Sequence, residues 1–160
     1  TFHPVEEAIT ELIETGEIKA NAEKLLTAGS IAPNFTLKDL SGGEFTLSSL
    51  QGKWVILDFW GTWCGWCIKG FPKLKEYYNK YNEKLEVVAI NCLDSDDRWK
   101  EGVKKHSLPF TNIKDDNKVS AQYAVSVYPT KIIITPEGRI HKVFTGETED
   151  FYKEIDKIMK

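Results

Sequence analysis

The run Trp54-Val55-Ile56-Leu57-Asp58-Phe59-Trp60 constrains the fold more than any other segment. It is almost continuously apolar, without the in-out alternation of a half-buried strand, so it reads as a strand covered on both faces. Covering both faces takes helices on either side of a parallel or mixed sheet, which is an α/β architecture. A chain of 160 residues with 41% hydrophobic content can bury one such core, and a second full domain is not expected.

The flanking pattern fits that frame. Val5, Ile9, Leu12, Ile13, Ile18, Leu25 and Leu26 have helical spacing, interrupted at Gly16 and closed by Gly29, which predicts a helical extension over residues 1–29 ahead of a domain spanning 30–160. Residues 32–37 and 44–47 around Ser41-Gly42-Gly43 read as a short hairpin, followed by a turn over 48–50. A helix is expected over 64–81, a strand over 85–91, a charged amphipathic helix over 94–106 and a shorter one over 117–123. Strands over 131–135 and 139–144 flank the turn Pro136-Glu137-Gly138, and a helix over 147–159 closes the chain. The order is βαβ, a connector, then ββα, without internal repeats.

Net charge is -3 with both signs scattered, so no basic face suits a phosphate backbone and nucleic acid is not an expected partner. No apolar run approaches the ~20 residues that span a bilayer, and the first 28 residues are too charged for a signal peptide. The sequence starts at Thr1, so a membrane association would need an anchor ahead of it.

Three cysteines are too few for a disulfide scaffold, but Cys64 and Cys67 stand in a C-x-x-C arrangement that points to redox or metal chemistry. A zinc site would need a second ligand pair, and His3, His106, His141 and Cys92 are widely scattered. Covalent haem attachment would need His after Cys67, where Ile68 stands. No cofactor and no metal are expected. A Cys64 sulfur at the start of the helix would meet free backbone N–H groups that favour a thiolate, the nucleophilic form. Cys67, three residues on, lies on the same side of the first turn and is the natural resolving thiol. Chance spacing is the bland alternative, but the pair follows a buried strand and opens a helix, the context redox chemistry needs.

Asp58 is a carboxylate inside the apolar run, costly to bury without a task or a partner. Burial should raise its proton affinity toward neutrality, where it can take the proton from Cys67; a strand aspartate paired with a lysine is the structural alternative. Trp63 and Trp66 flank Cys64 and offer flat apolar surface to a protein substrate, with core packing as the alternative for each. Tyr128-Pro129-Thr130 precedes a strand. Spacing alone favours a plain strand-opening proline at Pro129, whereas a cis bond would hold the Tyr128 backbone open to an extended substrate. Cys92 reads as a buried structural thiol.

These motifs together resemble the thioredoxin superfamily, specifically its TlpA/ResA-like branch, over residues 30–160. Asp58-Phe59-Trp60, Trp63-Cys64-Gly65-x-Cys67, Pro72 within the active-site helix, Tyr128-Pro129-Thr130, Gly138 and Gly146 stand in that family's order. Residues 32–37 and Leu50-Gln51-Gly52-Lys53 look like the AhpC/TSA-like segment shared with peroxiredoxins, and the stretch between Cys92 and Asn117 is similar to the element such proteins insert. The resemblance implies a thioredoxin-like fold with a mixed central sheet flanked by helices, a cis Pro129 beside the disulfide, and substrate contacts from Trp63, Gly65, Trp66, Tyr128 and Pro129. It also implies a reductant of client protein disulfides fed by an upstream thiol donor, in the bacterial periplasm or another extracytoplasmic compartment.

Departures from the family pattern matter. Thioredoxins have Gly-Pro where Gly65-Trp66 stands, a dipeptide that influences redox potential, so the motif does not fix the direction of electron flow. TlpA/ResA-like proteins often carry glutamate three residues after the second cysteine, here Gly70, and an uncharged residue at position 58, so Asp58 is expected to replace the missing glutamate. A peroxidase is the enzymatic alternative, but peroxiredoxins place threonine three residues before the reactive cysteine, where Gly61 stands, with Thr62 one residue too late. A redox-inert binding module docked through the helical extension is the alternative from another class.

Overall fold

A computed structural model describes residues 27–160. The helical extension expected over 1–29 falls almost entirely outside them.

Seven strands form one mixed sheet in the order β2-β1-β5-β4-β3-β6-β7. At its centre β3 (Trp54–Trp60) pairs in parallel with β4 (Leu85–Asn91) and antiparallel with β6 (Thr130–Ile134). Beyond β4 lies β5 (Thr111–Lys114), then β1 (Thr36–Asp39) and β2 (Glu44–Thr46); β7 (Ile140–Thr145) closes the other edge. Among the described residues there are four α-helices, interleaved with the strands: α1 (Gly65–Tyr81), α2 (Asp96–Lys105), α3 (Lys118–Gln122) and α4 (Glu149–Ile158).

The double burial of β3 is visible residue by residue. Ile56 and Trp60 pack with Phe71 and Leu74 of α1, Trp99 of α2, and Phe151, Tyr152 and Ile155 of α4. Val55, Leu57 and Phe59 pack on the opposite face with Phe35, Leu47, Val119 and Tyr123. Each such side chain taken fully from water contributes about 1.5–3 kcal/mol, so the strand is the thermodynamic centre of both layers.

Three expectations need correction. The connector holds a strand, β5, which only Ile113 marks as apolar; its buried Asn112 donates from Nδ2 to the carbonyls of Leu108 (3.1 Å) and Phe110 (2.9 Å), while its Oδ1 has no partner. The hairpin begins at Thr36, because residues 32–35 run outside the strand with the Asn34 carboxamide accepting from the Ser48 N–H at 3.0 Å. Helices expected at 94 and 147 start two residues later. Ser95 caps α2 by accepting from the Arg98 N–H at 3.2 Å, since Asp94 is turned toward Thr62, and Glu147 is turned inward toward Lys131.

Ahead of the hairpin, residues 29–32 lie along the start of β7. Gly29 donates to the Ile140 carbonyl at 2.7 Å, the Ile140 N–H donates to Ser30 at 2.8 Å, and Ala32 donates to Gly138 at 2.9 Å. That pairing covers part of an otherwise open sheet edge.

Because β3 and β6 are antiparallel with Phe59 opposite Thr130, the loop after β3 and the loop before β6 leave the sheet at the same end. The inserted α2 approaches there too. A Cβ at Gly102 would lie 2.7 Å from Thr62 Cγ2 and 3.2 Å from the Trp60 ring. Gly102→Val should therefore force α2 off the loop and lower stability by about 1–3 kcal/mol, the usual cost of overpacking, read as a lower urea midpoint with an unchanged m-value.

Candidate active site

Cys64 is the N-cap of α1, in extended conformation (φ -100°, ψ 100°), and its Sγ accepts the N–H of Cys67 at 3.2 Å. The two cysteines form a disulfide with Cα atoms 5.3 Å apart. Cys64 keeps 7% of its surface exposed and Cys67 2%, so an incoming sulfur reaches Cys64 first. Thiolate released at Cys64 on reduction would face the positive end of the helix.

The approach loop is pinned from below. Asp94 accepts from the Thr62 N–H at 2.8 Å, the Thr62 hydroxyl at 2.6 Å and Asn91 Nδ2 at 2.9 Å. Trp63 folds its ring over Gly61, where any Cβ would sit 2.3 Å from the indole, and donates from Nε1 to the Cys92 carbonyl at 3.1 Å. Edge contact with Tyr128, centroids 5.0 Å apart, ties it to the loop before β6. Cys92 itself is fully buried, and burial, followed by the nearby Asp115 charge, pushes its thiol well above the ordinary range. The Thr62 hydroxyl is thus committed to Asp94 and is not aimed at a peroxide on Cys64.

Around the disulfide the surface is apolar. Trp63 and Trp66 are 45% and 65% exposed, so neither is a core residue, and Leu93 and Val127 are also exposed. The Lys69 ammonium lies 4.8 Å from the Trp66 ring. Gly65 is exposed with open space where a side chain would project. Tyr128–Pro129 is a cis peptide, Pro129 is buried, and its carbonyl accepts the Gly146 N–H at 2.7 Å.

Asp58 shares the sheet face of Ile56 and Trp60, the face roofed by α1 with Cys67 in its first turn. It is 1% exposed, and its Oδ1 has no hydrogen-bond partner. Burial raises its proton affinity above the ordinary carboxylate value of 3.8; Lys131 works against the rise and Glu147 adds to it. Lys131, directly across the ladder, holds its ammonium 3.9 Å from Asp58 Oδ1 and 2.8 Å from Glu147 Oε2. The lysine foreseen as a structural partner is present, therefore, but beyond hydrogen-bond distance and engaged elsewhere.

Lys131 and Glu147 were missed by sequence reasoning. Lys131 carried a usable signal, a lone charge in the apolar segment Thr130–Ile134, the same feature that singles out Asp58. Glu147 carried none, being one of three acidic residues, with Glu149 and Asp150, around the start of α4.

A model of the AhpC/TSA family matches residues 28–143. The thiol-disulfide oxidoreductase ResA of Bacillus subtilis is 38% identical over 138 residues, covering 84% of this chain and 77% of that protein. Among solved structures, the thioredoxin domain of a thiol-disulfide oxidoreductase from Bacteroides vulgatus superposes with a TM-score of 0.77 at 27% identity, covering 84% of this chain and 99% of that one. A secreted Mycobacterium tuberculosis disulfide oxidoreductase homologous to Escherichia coli DsbE gives 0.68 at 28% identity, covering 77% and 95%. The substrates of such an enzyme are disulfide- or dithiol-bearing proteins. With a thioredoxin fold, a helix-capping Cys64–Cys67 pair and these relatives, the chain belongs to the AhpC/TSA family and is a TlpA/ResA-like thiol-disulfide oxidoreductase.

Proposed function

We propose that this enzyme works as a reductant of protein disulfides outside the cytoplasm, with Cys64 as nucleophile, Cys67 as resolving thiol and Asp58 as the acceptor of the Cys67 proton. The observation that carries the assignment is the buried Asp58 carboxyl on the sheet face roofed by the Cys67 turn, raised in proton affinity by burial. In the first step the Cys64 thiolate attacks one sulfur of a client disulfide; a Cys64–client disulfide forms and one client thiolate leaves. Cys67 then gives its proton to Asp58 and attacks Cys64 Sγ, closing the enzyme disulfide and expelling the second client thiolate. Two electrons pass to the client; the single proton leaves Cys67 for Asp58, which then hands it to the departing client thiolate and returns to carboxylate. An upstream dithiol protein restores the cycle by becoming a disulfide.

Client docking is assigned to the apolar rim. Trp63, Trp66 and the open Gly65 face one side of an extended client segment, while Tyr128 and Pro129 offer the other, at the open end of β6. Placement outside the cytoplasm is supported by the secreted relative, and the described residues contain no helix long and apolar enough to cross a membrane. The domain division at residues 29/30 goes with this reading, the thioredoxin-like unit starting where the chain joins β7.

Cys67→Ser should accumulate a covalent Cys64–client adduct on non-reducing gels, sensitive to dithiothreitol, and Cys64→Ser/Cys67→Ser should accumulate none. The couple's reduction potential, measured against glutathione, should lie near the roughly -270 mV of thioredoxin; a value near -120 mV would mark an oxidant instead.

Asp58→Asn should slow mixed-disulfide resolution near pH 7 by about 10²-fold and flatten its pH dependence, read by stopped-flow tryptophan fluorescence. The same variant should be more heat-stable at neutral pH. With its proton affinity raised on folding, the native Asp58 binds a proton more tightly than in the unfolded chain, so its contribution falls as pH rises from 3.8 through the folded value. The stability gap between variant and parent should widen across that window and level off above it, as followed by calorimetry.

A further inference from the structure

Gly70 sits in the second turn of α1, and the space above it is already occupied. A Cβ there would lie 2.3 Å from Glu147 Oε2, so the helix has a gap filled by a carboxylate from the loop between β7 and α4. Two contacts hold that carboxylate, and a third fixes the backbone beside it. The Tyr152 phenol donates to Oε1 at 2.8 Å, Lys131 Nζ donates to Oε2 at 2.8 Å, and the adjoining Gly146 N–H is bonded to the Pro129 carbonyl. Exposure falls along the series, from 16% for the Glu147 side chain to 2% for Lys131 and 1% for Asp58.

An ammonium that is 98% buried next to an orphaned carboxylate oxygen would close the 3.9 Å gap unless something held it back. We propose that Glu147 is a positioning residue for disulfide exchange: lodged over Gly70, it anchors the Lys131 ammonium at 2.8 Å and so keeps it short of a hydrogen bond to Asp58, leaving that carboxyl free to receive a proton. The inference rests on Asp58 as the proton acceptor. Other ionisable groups facing Asp58 are few. Cys67 comes from α1 and Tyr152 from α4, where burial, then Glu147, pushes the phenol far up; across the ladder β4 offers only Ala89. The Lys73–Glu149 pair at 2.6 Å lies outside this layer, with its lysine over the Tyr152 ring.

The direct readout is the Asp58 carboxyl titration, followed by ¹³C NMR in the oxidised protein so that no active-site thiol titrates alongside. In Glu147→Gln the freed ammonium should draw in from 3.9 Å toward hydrogen-bond distance, and the Asp58 midpoint should fall by about one pH unit, more than the same substitution lowers it in a Lys131→Met background, where only the lost Glu147 charge acts. Lys131→Met should move it the opposite way, up by about 1–3 units. Opposite signs separate electrostatic positioning from loosening, since water entering a disrupted layer would lower both midpoints. An unmoved midpoint in Glu147→Gln, or a fall in both variants, overturns the proposal. The rate-pH profile of Asp58→Asn decides the proton-acceptor reading on its own. A profile like the parent's would remove that role for Asp58 while the NMR shifts still decide whether Glu147 holds Lys131.

Discussion

Lys131 stands opposite Asp58 across the β3–β6 ladder, and this pairing of buried charges fixes more than its own energy. Side chains alternate between faces, so a slip of one residue in β6 would carry Lys131 into the opposite layer, among Val55, Leu57 and Phe59, and strand an ammonium in hydrocarbon. The aligned register puts Phe59 opposite Thr130 and Pro129 just beyond the end of the sheet, and it brings Gly146 within reach of the Pro129 carbonyl. The loop before β6, the turn before α4 and the start of α1 are therefore indexed to one another by where two charges meet.

The two-layered frame around β3 was legible in the sequence because it follows from runs that strongly limit their surroundings. The segment 54–60 demanded cover on both faces and has it, and the cysteines after it open a helix, as their place behind a buried strand predicted. β5 was not legible. A four-residue strand with one strongly apolar side chain has no periodicity to detect, and its place between β1 and β4 comes from neighbours that leave two ladders to fill. For Trp66 the sequence left surface and core both open, and the direction of the first helical turn decides for the surface.

The charged layer shows a third kind of limit. Asp58 announced itself, yet its nearest charge comes from 73 residues further on and that lysine's own partner from a turn 16 residues beyond it. What joins Gly70 to Glu147 is an exchange of volume between two elements, a missing side chain in one and a bent-in side chain in the other. Sequence motifs register residues that are present. Here the informative residue is a glycine whose lack of a side chain makes room for a carboxylate from elsewhere.

The pairing of residues 29–32 with the start of β7 has a consequence for reach. Ile140 lies opposite Ile134 at one end of the sheet, whereas Thr145 lies opposite Thr130 at the end that carries the disulfide. The strand between spans four steps of about 3.3 Å. The chain thus enters the domain at the pole remote from its redox face. A leash attached upstream would hold the molecule by its back, with Cys64 and its aromatic rim turned outward like the working end of a tool.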